Sequence, residues 1–193
     1  IVTDDEKGKV LHISKGSSGQ DESGAYITSN CGVSLTQYVT LKEEGAKVMV
    51  FEADIKTANV TYGDYIQIHV NGEATGSKNS PLLGLLRLSA TEGAAIKNAS
   101  SNTEGGNTSA KMGEWFHLRI EYKVTETDAD GNITGIEYKF IVNDDAPIVG
   151  TTVYKKAISV DSITSLVFAF NNKNKGDFYV DNTCLKLLVE ADE

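Results

Sequence analysis

The sequence is poor in residues that cross-link or interrupt a chain. It has two cysteines, Cys31 and Cys184, and two prolines in 193 residues. A disulfide between the cysteines would require the first and last thirds of the chain to be adjacent, so a bridge and two free thiols both stay open. Because no Pro/Ser-rich linker divides the chain, we predict a single domain over residues 1–193. A chain of this length can bury a core without cross-links.

Positive charge and long apolar runs are scarce as well. Lys and Arg total 18 against 27 Asp and Glu, which gives a formal net charge of -9. Nucleic acids and anionic membrane surfaces require basic patches, so neither is expected as a partner. No run approaches 18 apolar residues, and we expect no membrane insertion. The chain opens at "IVTDDEKGKV" without an initiator Met or a signal peptide, and we expect a fragment or processed form.

Helical periodicity is almost absent, whereas apolar and polar residues alternate throughout. The alternating segments are rich in Val, Ile, Phe, Tyr and Thr and are bounded by Gly, Asn, Asp and Ser, as is typical of strands. We predict two packed antiparallel sheets, with a hairpin at "TDADGNITG" whose Asp130 and Gly131 take positive φ. The predicted strands are "GKVLHIS", "GVSLTQYVTL", "AKVMVFEADIK", "GDYIQIHVNG", "LLGLLRLSA", "EWFHLRIEYKV", "IEYKFIVND", "KAISVDSI", "SLVFAFNN" and "DFYVDNTCLKLLVE".

Three of these strands carry polar and aromatic residues on their outward faces. Alternation in "VMVFEADIKT" places Glu52 and Asp54 on the same face, about 6.5–7 Å apart along the strand. Aromatic planes beside fixed donors and acceptors suit the recognition of sugars. The simpler alternative is an ordinary solvated sheet face. The outward set that we predict to bind ligand is Glu52, Asp54, Tyr65, Gln67, His69, Trp115, His117 and Arg119.

Other chemistry finds little support in the sequence. The three histidines form no metal trio of matched spacing, and no Ser or Cys lies in a nucleophile elbow. Asp128, Asp130 and Asn132 have calcium-loop spacing, but the remaining ligands of a 12-residue loop are absent, so we interpret them as a hairpin tip.

Several motifs resemble those of concanavalin A-like lectin and glucanase domains, a group that includes laminin-G-like domains. "GEWFHLRIEYKV", followed after a hairpin by "YKFIVNDDAPI", resembles a strand pair of that family, and "GDFYVDNTCL" resembles the last strand of many carbohydrate-binding jelly rolls. The opening "TDDEKGKVLHI" is similar too. Asp144 stands where the family usually has the Gly of "VNG". The resemblance implies an all-β, jelly-roll β-sandwich of two antiparallel sheets.

The same resemblance bears on catalysis. Laminarinase- and lichenase-type hydrolases of this fold carry two glutamates around an aspartate on one strand, as nucleophile and acid/base. Here Glu52 and Asp54 are kept, but Lys56 and Thr57 stand where the second glutamate belongs. A retaining mechanism needs a second, protonated carboxyl group, and a lysine cannot supply it. The resemblance therefore argues against that hydrolase activity, and we assign no catalytic residue.

The resemblance also implies one structural calcium, with Asp181 as a late-strand ligand. By the same likeness, Trp115 packs under the sheet edge more readily than it serves as a sugar platform. Tyr62, Tyr65 and Tyr154 are alternative platforms that the sequence does not rank.

We therefore expect a non-catalytic, lectin-like carbohydrate-binding module that binds a glycan on its concave sheet. We expect it to be a monomeric part of a secreted or surface protein, extracellular or at the cell surface, and bacterial. Two alternatives stay open. One is a polysaccharide-cleaving enzyme, hydrolase or lyase; a lyase could use Tyr65 with His69 or His117 as acid and base, while Arg119 neutralises a uronate. The other is a structural or protein-interaction spacer, which a face closed by salt bridges would favour.

Overall fold

The computed structural model describes residues 1–15, 22–23, 29–39, 46–61, 66–74, 82–88, 95–98, 106–170 and 175–189. Within these ranges the chain is built from strands and turns, without a helix. Accordingly, the described residues include no helix that is long and apolar enough to cross a membrane.

The described residues form twelve strands. The predicted segments "KAISVDSI" and "SLVFAFNN" lie in one long strand, so the expected break between them is wrong, and β1, β7 and β8 were not predicted. The strands are β1 (Val2–Asp4), β2 (Gly8–Lys15), β3 (Ser29–Val39), β4 (Ala46–Thr61), β5 (Ile66–Ala74), β6 (Leu82–Leu88), β7 (Ala95–Asn98), β8 (Gly106–Asn107), β9 (Trp115–Thr127), β10 (Ile133–Val142), β11 (Ile148–Phe170) and β12 (Lys175–Val189).

The strands form the jelly-roll β-sandwich of two antiparallel sheets that the resemblance implies. One group runs in the order β1-β2-β12-β4-β9-β10, and the first half of β11 pairs with β10. The second half of β11 pairs on one side with β3 and on the other with β5, which continues to β6, β7 and β8. Because the register of β11 shifts between Ile158 and Ile163, one strand serves both sheets.

The core lies against one face of β4, β9 and β10. Alternate residues of these strands are 0–5% exposed, as the sequence pattern predicts. Complete burial of one sheet face requires a second layer over it, which is the arrangement of a sandwich. The buried residues are Met49, Phe51, Ala53, Ile55, Phe116, Leu118, Ile120, Tyr122, Ile136, Tyr138, Phe140 and Val142.

The hairpin between β9 and β10 confirms one prediction and corrects another. Gly131 has a φ of 79°, whereas Asp130 does not take positive φ. The reason is the turn type: Gly131 N donates to Asp128 O at 3.0 Å, which closes a four-residue turn that ends in one left-handed glycine. The Asp128 carboxylate accepts the backbone N–H groups of Asp130 and Asn132, which fits a hairpin tip.

The turn after β10 contains Asp144, which stands where the resembling family has a glycine. Asn143 takes the positive φ, at 49°, and Asp144 does not. Asparagine tolerates this conformation better than most residues. The Asn143 side chain also accepts the His117 N–H at 2.9 Å, so the turn is tied to β9.

Candidate functional site

The face of β2, β12, β4 and β9 that points away from the core carries a dense set of charged and aromatic side chains. We call it the polar face. The pairing register brings Asp54 opposite His117, Glu52 opposite Arg119 and Lys56 opposite Trp115. The polar face consists of His12, Glu52, Asp54, Lys56, Trp115, His117, Arg119, Asp177, Tyr179 and Lys186.

Asp54 is the hub of the polar face. Its carboxylate accepts hydrogen bonds from Lys7 Nζ at 2.7 Å, His117 Nδ1 at 2.8 Å and Asn182 Nδ2 at 2.7 Å. Burial by itself would raise the pKa of Asp54, but these three bonds and the charge of Lys7 lower the pKa to about 2. Asp54 is therefore an ionised anchor that ties the β1–β2 turn, β9 and β12 together.

Asn182 reaches Asp54 because β12 is irregular at that point. The register between β12 and β4 shifts between Asp181 and Cys184, and Asn182 has a φ of 49°. A bulge of this kind redirects a side chain out of the regular alternation. The sequence signal is the Asp-Asn pair in "YVDN", since asparagine tolerates a left-handed conformation.

Glu52 and Arg119 form a second charged cluster on the polar face. Glu52 accepts hydrogen bonds from Arg119 Nη1 at 2.6 Å and Lys186 Nζ at 2.8 Å. The hydrogen bond from Lys186 lowers the pKa of Glu52, and the bond from Arg119 lowers it further, whereas burial acts in the opposite direction. Arg119 Nε also donates to Glu121 at 2.8 Å. The guanidinium is thus shared between two carboxylates.

The N-terminal hairpin is fastened onto the polar face through Asp4. The Asp4 carboxylate accepts hydrogen bonds from Lys56 Nζ and from Trp115 Nε1, the latter at 3.1 Å. It also accepts the backbone N–H groups of Glu6 and Lys7 within its own turn. The bond from Lys56, supported by these N–H donors, lowers the pKa of Asp4 to about 2.

A row of rings and one ammonium group crosses the sheet beside Asp4. His12 stacks on Tyr179 with ring centroids 4.5 Å apart and planes at 5°. Lys56 Nζ lies 5.1 Å from the Tyr179 centroid and 5.0 Å from the Trp115 centroid, which are cation–π distances. Since Lys7 Nζ also lies 5.8 Å from the Trp115 centroid, two cations engage this indole. The contacts support a structural role for Trp115, as the resemblance implies.

A groove opens next to this row. It has a volume of about 450 Å³, within the range of about 300–1,000 Å³ that is usual for ligand sites. Its wall combines apolar surface with polar groups whose positions are fixed by ion pairs and hydrogen bonds. The lining residues are Val2, Thr3, Asp4, Asp5, His12, Lys56, Ala58, Gly113 and Tyr179.

His12 is fixed at the groove by its other neighbour. Its Nε2 lies 2.8 Å from Asp177 Oδ1, and Asn59 Nδ2 donates to Asp177 Oδ2 at 2.7 Å. Burial would raise the pKa of Asp177, but the hydrogen bonds from Asn59, His12 and Ser14 lower it. The imidazole is therefore held on both its edge and its face.

The structure brings together five of the eight residues predicted to bind ligand. Gln67 and His69 lie on β5, which β10 and β11 separate from β9, and their side chains are outside the described part of the structure. Tyr65 and the alternative platform Tyr62 fall outside the described residues, as does the side chain of Tyr154. The five that share the polar face are Glu52, Asp54, Trp115, His117 and Arg119.

The predicted calcium site finds no support around Asp181. Among the described residues there is no group of three or more His, Cys, Asp or Glu side chains that could hold a metal. Asp54, which pairs with Asp181 across the strands, is already neutralised by Lys7 at 2.7 Å. The described residues therefore add no further ligand to Asp181, and the calcium site stays a prediction.

The sequence left a disulfide open, and the structure answers for one of the two cysteines. Cys184 is a free, exposed thiol on β12. The side chain of Cys31, on β3, lies outside the described part.

Several residues that build the polar face and the groove were not predicted from the sequence. Their partners lie far away along the chain, so strand alternation alone could not pair them. The signals that were present are the acidic turn "TDDEKG" and the alternation of "DFYVDN". The residues missed are Asp4, Lys7, His12, Asp177, Tyr179, Asn182 and Lys186.

Comparison with known proteins supports the fold. Neither a protein-family model nor a curated protein matches the sequence. The structure is similar to that of a carbohydrate esterase from the Shiga toxin-encoding bacteriophage phi24B, with a TM-score of 0.59 and 11% identity over 96% of this chain and 85% of that one. It is also similar to the alginate lyase vAL-1 from Chlorella virus, with a TM-score of 0.50 and 14% identity over 97% and 88% of the two chains. At such identities the likeness concerns the fold alone, and the concanavalin A-like assignment stays a prediction.

The low pKa values predict how stability depends on pH. Asp4 and Asp54 have an ordinary pKa of 3.8 and a pKa of about 2 in the folded protein. A lowered pKa contributes stability that is complete above the unfolded value and is lost as the pH falls through the folded value. We therefore expect the urea midpoint to be constant from neutral pH to about pH 5 and to fall between about pH 5 and pH 2.

The matched variant for this measurement is the double substitution of Asp4→Asn and Asp54→Asn. It should be less stable at neutral pH and should lose less on acidification, because two of the carboxyl groups whose pKa is lowered by folding are gone. Parallel curves for the two proteins would contradict the assignment of the low pKa values to these carboxyls.

Proposed function

We propose that the protein is a non-catalytic carbohydrate-binding module whose glycan lies in the groove beside Asp4, His12 and Tyr179. The observation that carries the proposal is the combination found there: an opening of about 450 Å³ with apolar surface beside preorganised polar groups. Sugars present C–H faces and hydroxyls together, so this combination suits them. On this proposal the protein acts as a monomer outside a bacterial cell or at its surface, as the sequence leads us to expect.

The proposal places the ligand in the groove and not at the outward residues predicted from the sequence, such as Glu52 and Asp54. Glu52 and Asp54 are engaged by three cations, Lys186, Arg119 and Lys7, and Asp54 also by His117 and Asn182. A ligand that bound to these carboxylates would have to replace charge-assisted hydrogen bonds of 2.6–2.8 Å. In the groove, the exposed Asp5 carboxylate and the Tyr179 ring can be contacted without displacing an ion pair.

The state of the carboxyl groups favours binding without cleavage. General acid catalysis at neutral pH needs a carboxyl group whose pKa is raised. On the polar face, hydrogen bonds and cations lower the pKa of Glu52, Asp54 and Asp177. A lyase would need Arg119 for a uronate, but two carboxylates of the chain already share its guanidinium.

A second candidate function is a structural or protein-interaction spacer. The specific observation in its favour is that the charges of Glu52, Asp54 and Arg119 are saturated by salt bridges within the chain. A face closed in this way offers little to a polar ligand. The spacer and the binding module differ in the groove, which only the module needs.

Tyr179 supplies the direct test. We expect Tyr179→Ala to weaken glycan binding at least about tenfold, because truncation of an aromatic contact typically costs more than about 1.4 kcal/mol at a hot spot. Tyr179→Phe, which keeps the ring, should bind much better than Tyr179→Ala. Affinity electrophoresis in gels that contain the polysaccharide measures both, with the urea midpoint as a check on folding.

Val153→Ala is the matched control, since this side chain is 71% exposed on β11 and does not line the groove. Its binding should equal that of the wild type. Binding that survives in Tyr179→Ala but is lost in His117→Ala would place the ligand at the outward residues predicted from the sequence and would contradict binding in the groove.

A further inference from the structure

The groove has an unbalanced charge. Asp4, Asp5 and Lys56 line it, and of the described lining residues Lys56 is the only lysine or arginine. Lys56 is ion-paired with Asp4, and its ammonium lies between the rings of Tyr179 and Trp115. Because Lys56 and Asp4 neutralise each other, the exposed Asp5 carboxylate leaves the lining negative.

The charged groups next to the groove do not reverse this sign. His12 lies against Asp177 at 2.8 Å, and this pair has no net positive charge whichever way the imidazole is protonated. Lys7 lies on Asp54 at 2.7 Å. A carboxylate of a ligand that approached Lys56 or Lys7 would therefore have to displace Asp4 or Asp54 from it.

Neutral hydroxyl groups of a ligand can bind in the groove without displacing a cation. A carboxylate offers about four acceptor sites on its two oxygens, and a sugar hydroxyl can donate to them without bringing charge. The Asp5 carboxylate is exposed, and Val2, Ala58 and Tyr179 offer apolar surface beside it. The lining is thus complementary to a polyol without acidic groups.

We propose that the ligand of the groove is a neutral polysaccharide and that polyuronates are rejected. This inference rests on the proposed function and adds the chemical class of the glycan. The net charge of -9 acts in the same direction, because a polyanion is repelled by the protein as a whole as well as by the groove.

The test compares two classes of polysaccharide on the wild-type chain. Neutral β-glucan, xylan and mannan are set against alginate and polygalacturonate in affinity electrophoresis, at low and at physiological ionic strength. We expect retardation by at least one neutral polymer and at least about tenfold weaker binding of both polyuronates. Since screening weakens repulsion, any residual polyuronate binding should increase with salt.

Asp5→Lys tests the charge at the groove itself. The substitution should increase polyuronate binding at least about threefold at low salt. Glu126→Lys is the matched control: it changes the net charge equally at an exposed position at the end of β9, outside the groove, and should have little effect.

The outcomes separate the two proposals. Retention of a neutral polymer together with rejection of polyuronates supports both. Retention of a polyuronate without a neutral polymer, or an equal response of the two lysine variants, overturns the charge inference while the binding function stands. Retention of no polymer of either class overturns the binding function, and the inference with it.

Discussion

Gly150→Ala should destabilise the protein by about 3 kcal/mol and lower its Tm by roughly 6–12 °C. Gly150 pairs with Tyr138 across β10 and β11, and both residues are buried. A Cβ at position 150 would lie 2.3–2.6 Å from atoms of the Tyr138 ring. Tyr138 is 2% exposed and its ring lies 5.1 Å from that of Phe140, so it has little room to move. The methyl group must displace a core aromatic side chain.

Gly135→Ala is the matched control for this prediction. A Cβ there would lie 3.0 Å from Thr125 Oγ1 and 3.1 Å from Glu126 Cβ, which belong to exposed side chains that can yield. We expect a loss of about 1 kcal/mol or less. Thermal unfolding of both variants, of Tyr138→Val alone and of Tyr138→Val combined with each of them completes two double-mutant cycles. With Val at position 138, Gly150→Ala should cost less stability than it does in the wild type, whereas the cost of Gly135→Ala should be unchanged. Equal stability of Gly150→Ala and the wild type would contradict the close approach of ring and backbone.

Asp54→Ala should destabilise the protein by about 3 kcal/mol. The substitution removes one acceptor from Lys7, His117 and Asn182, which lie on three different segments. The Asp54 side chain is 14% exposed, so water replaces its bonds only in part. Three charge-assisted or part-buried bonds do not add fully, and the expected loss is accordingly less than their sum.

Asp144→Ala is the control for Asp54→Ala. It removes the same charge from an exposed turn position and should change the free energy of unfolding by less than about 0.5 kcal/mol. Lys7→Ala combined with Asp54→Ala should cost less than the two single substitutions together, because one ion pair is counted in both. Strict additivity in urea unfolding would contradict the Lys7–Asp54 contact.

Much of the fold could be predicted from local sequence. The alternation in "VMVFEADIKT" and "EWFHLRIEYKV" assigned most of the buried and outward residues of β4 and β9 correctly, because a period of two leaves little choice once one face must be buried. The exception is Val50, which alternation places on the outward face and which is 0% exposed. The break predicted between "KAISVDSI" and "SLVFAFNN" does not end a strand, but it coincides with a shift in the register of β11 between Ile163 and Ser165. At the β9–β10 turn, positive φ was predicted correctly for Gly131 and wrongly for Asp130, because the turn type decides which position takes positive φ.

The site was harder to predict than the fold. Glu52, Asp54 and Lys56 were correctly placed on one face, but their partners Lys186, Lys7 and Asp4 come from the two ends of the chain. Which distant strands become neighbours is fixed by topology, and one sequence does not reveal it. The sequence could thus identify carboxylates on an outward strand face, and only the structure shows that cations of the same chain engage them.

The most direct test of the binding proposal is a pull-down on insoluble neutral polysaccharides that reads retained protein and released reducing ends in the same tube. We expect protein to be retained, no reducing ends to accumulate above the blank, and retention to be lost in Tyr179→Ala while Val153→Ala is retained like the wild type. Release of reducing ends would contradict the non-catalytic assignment, and an absence of retention on every polymer would leave the spacer as the better account.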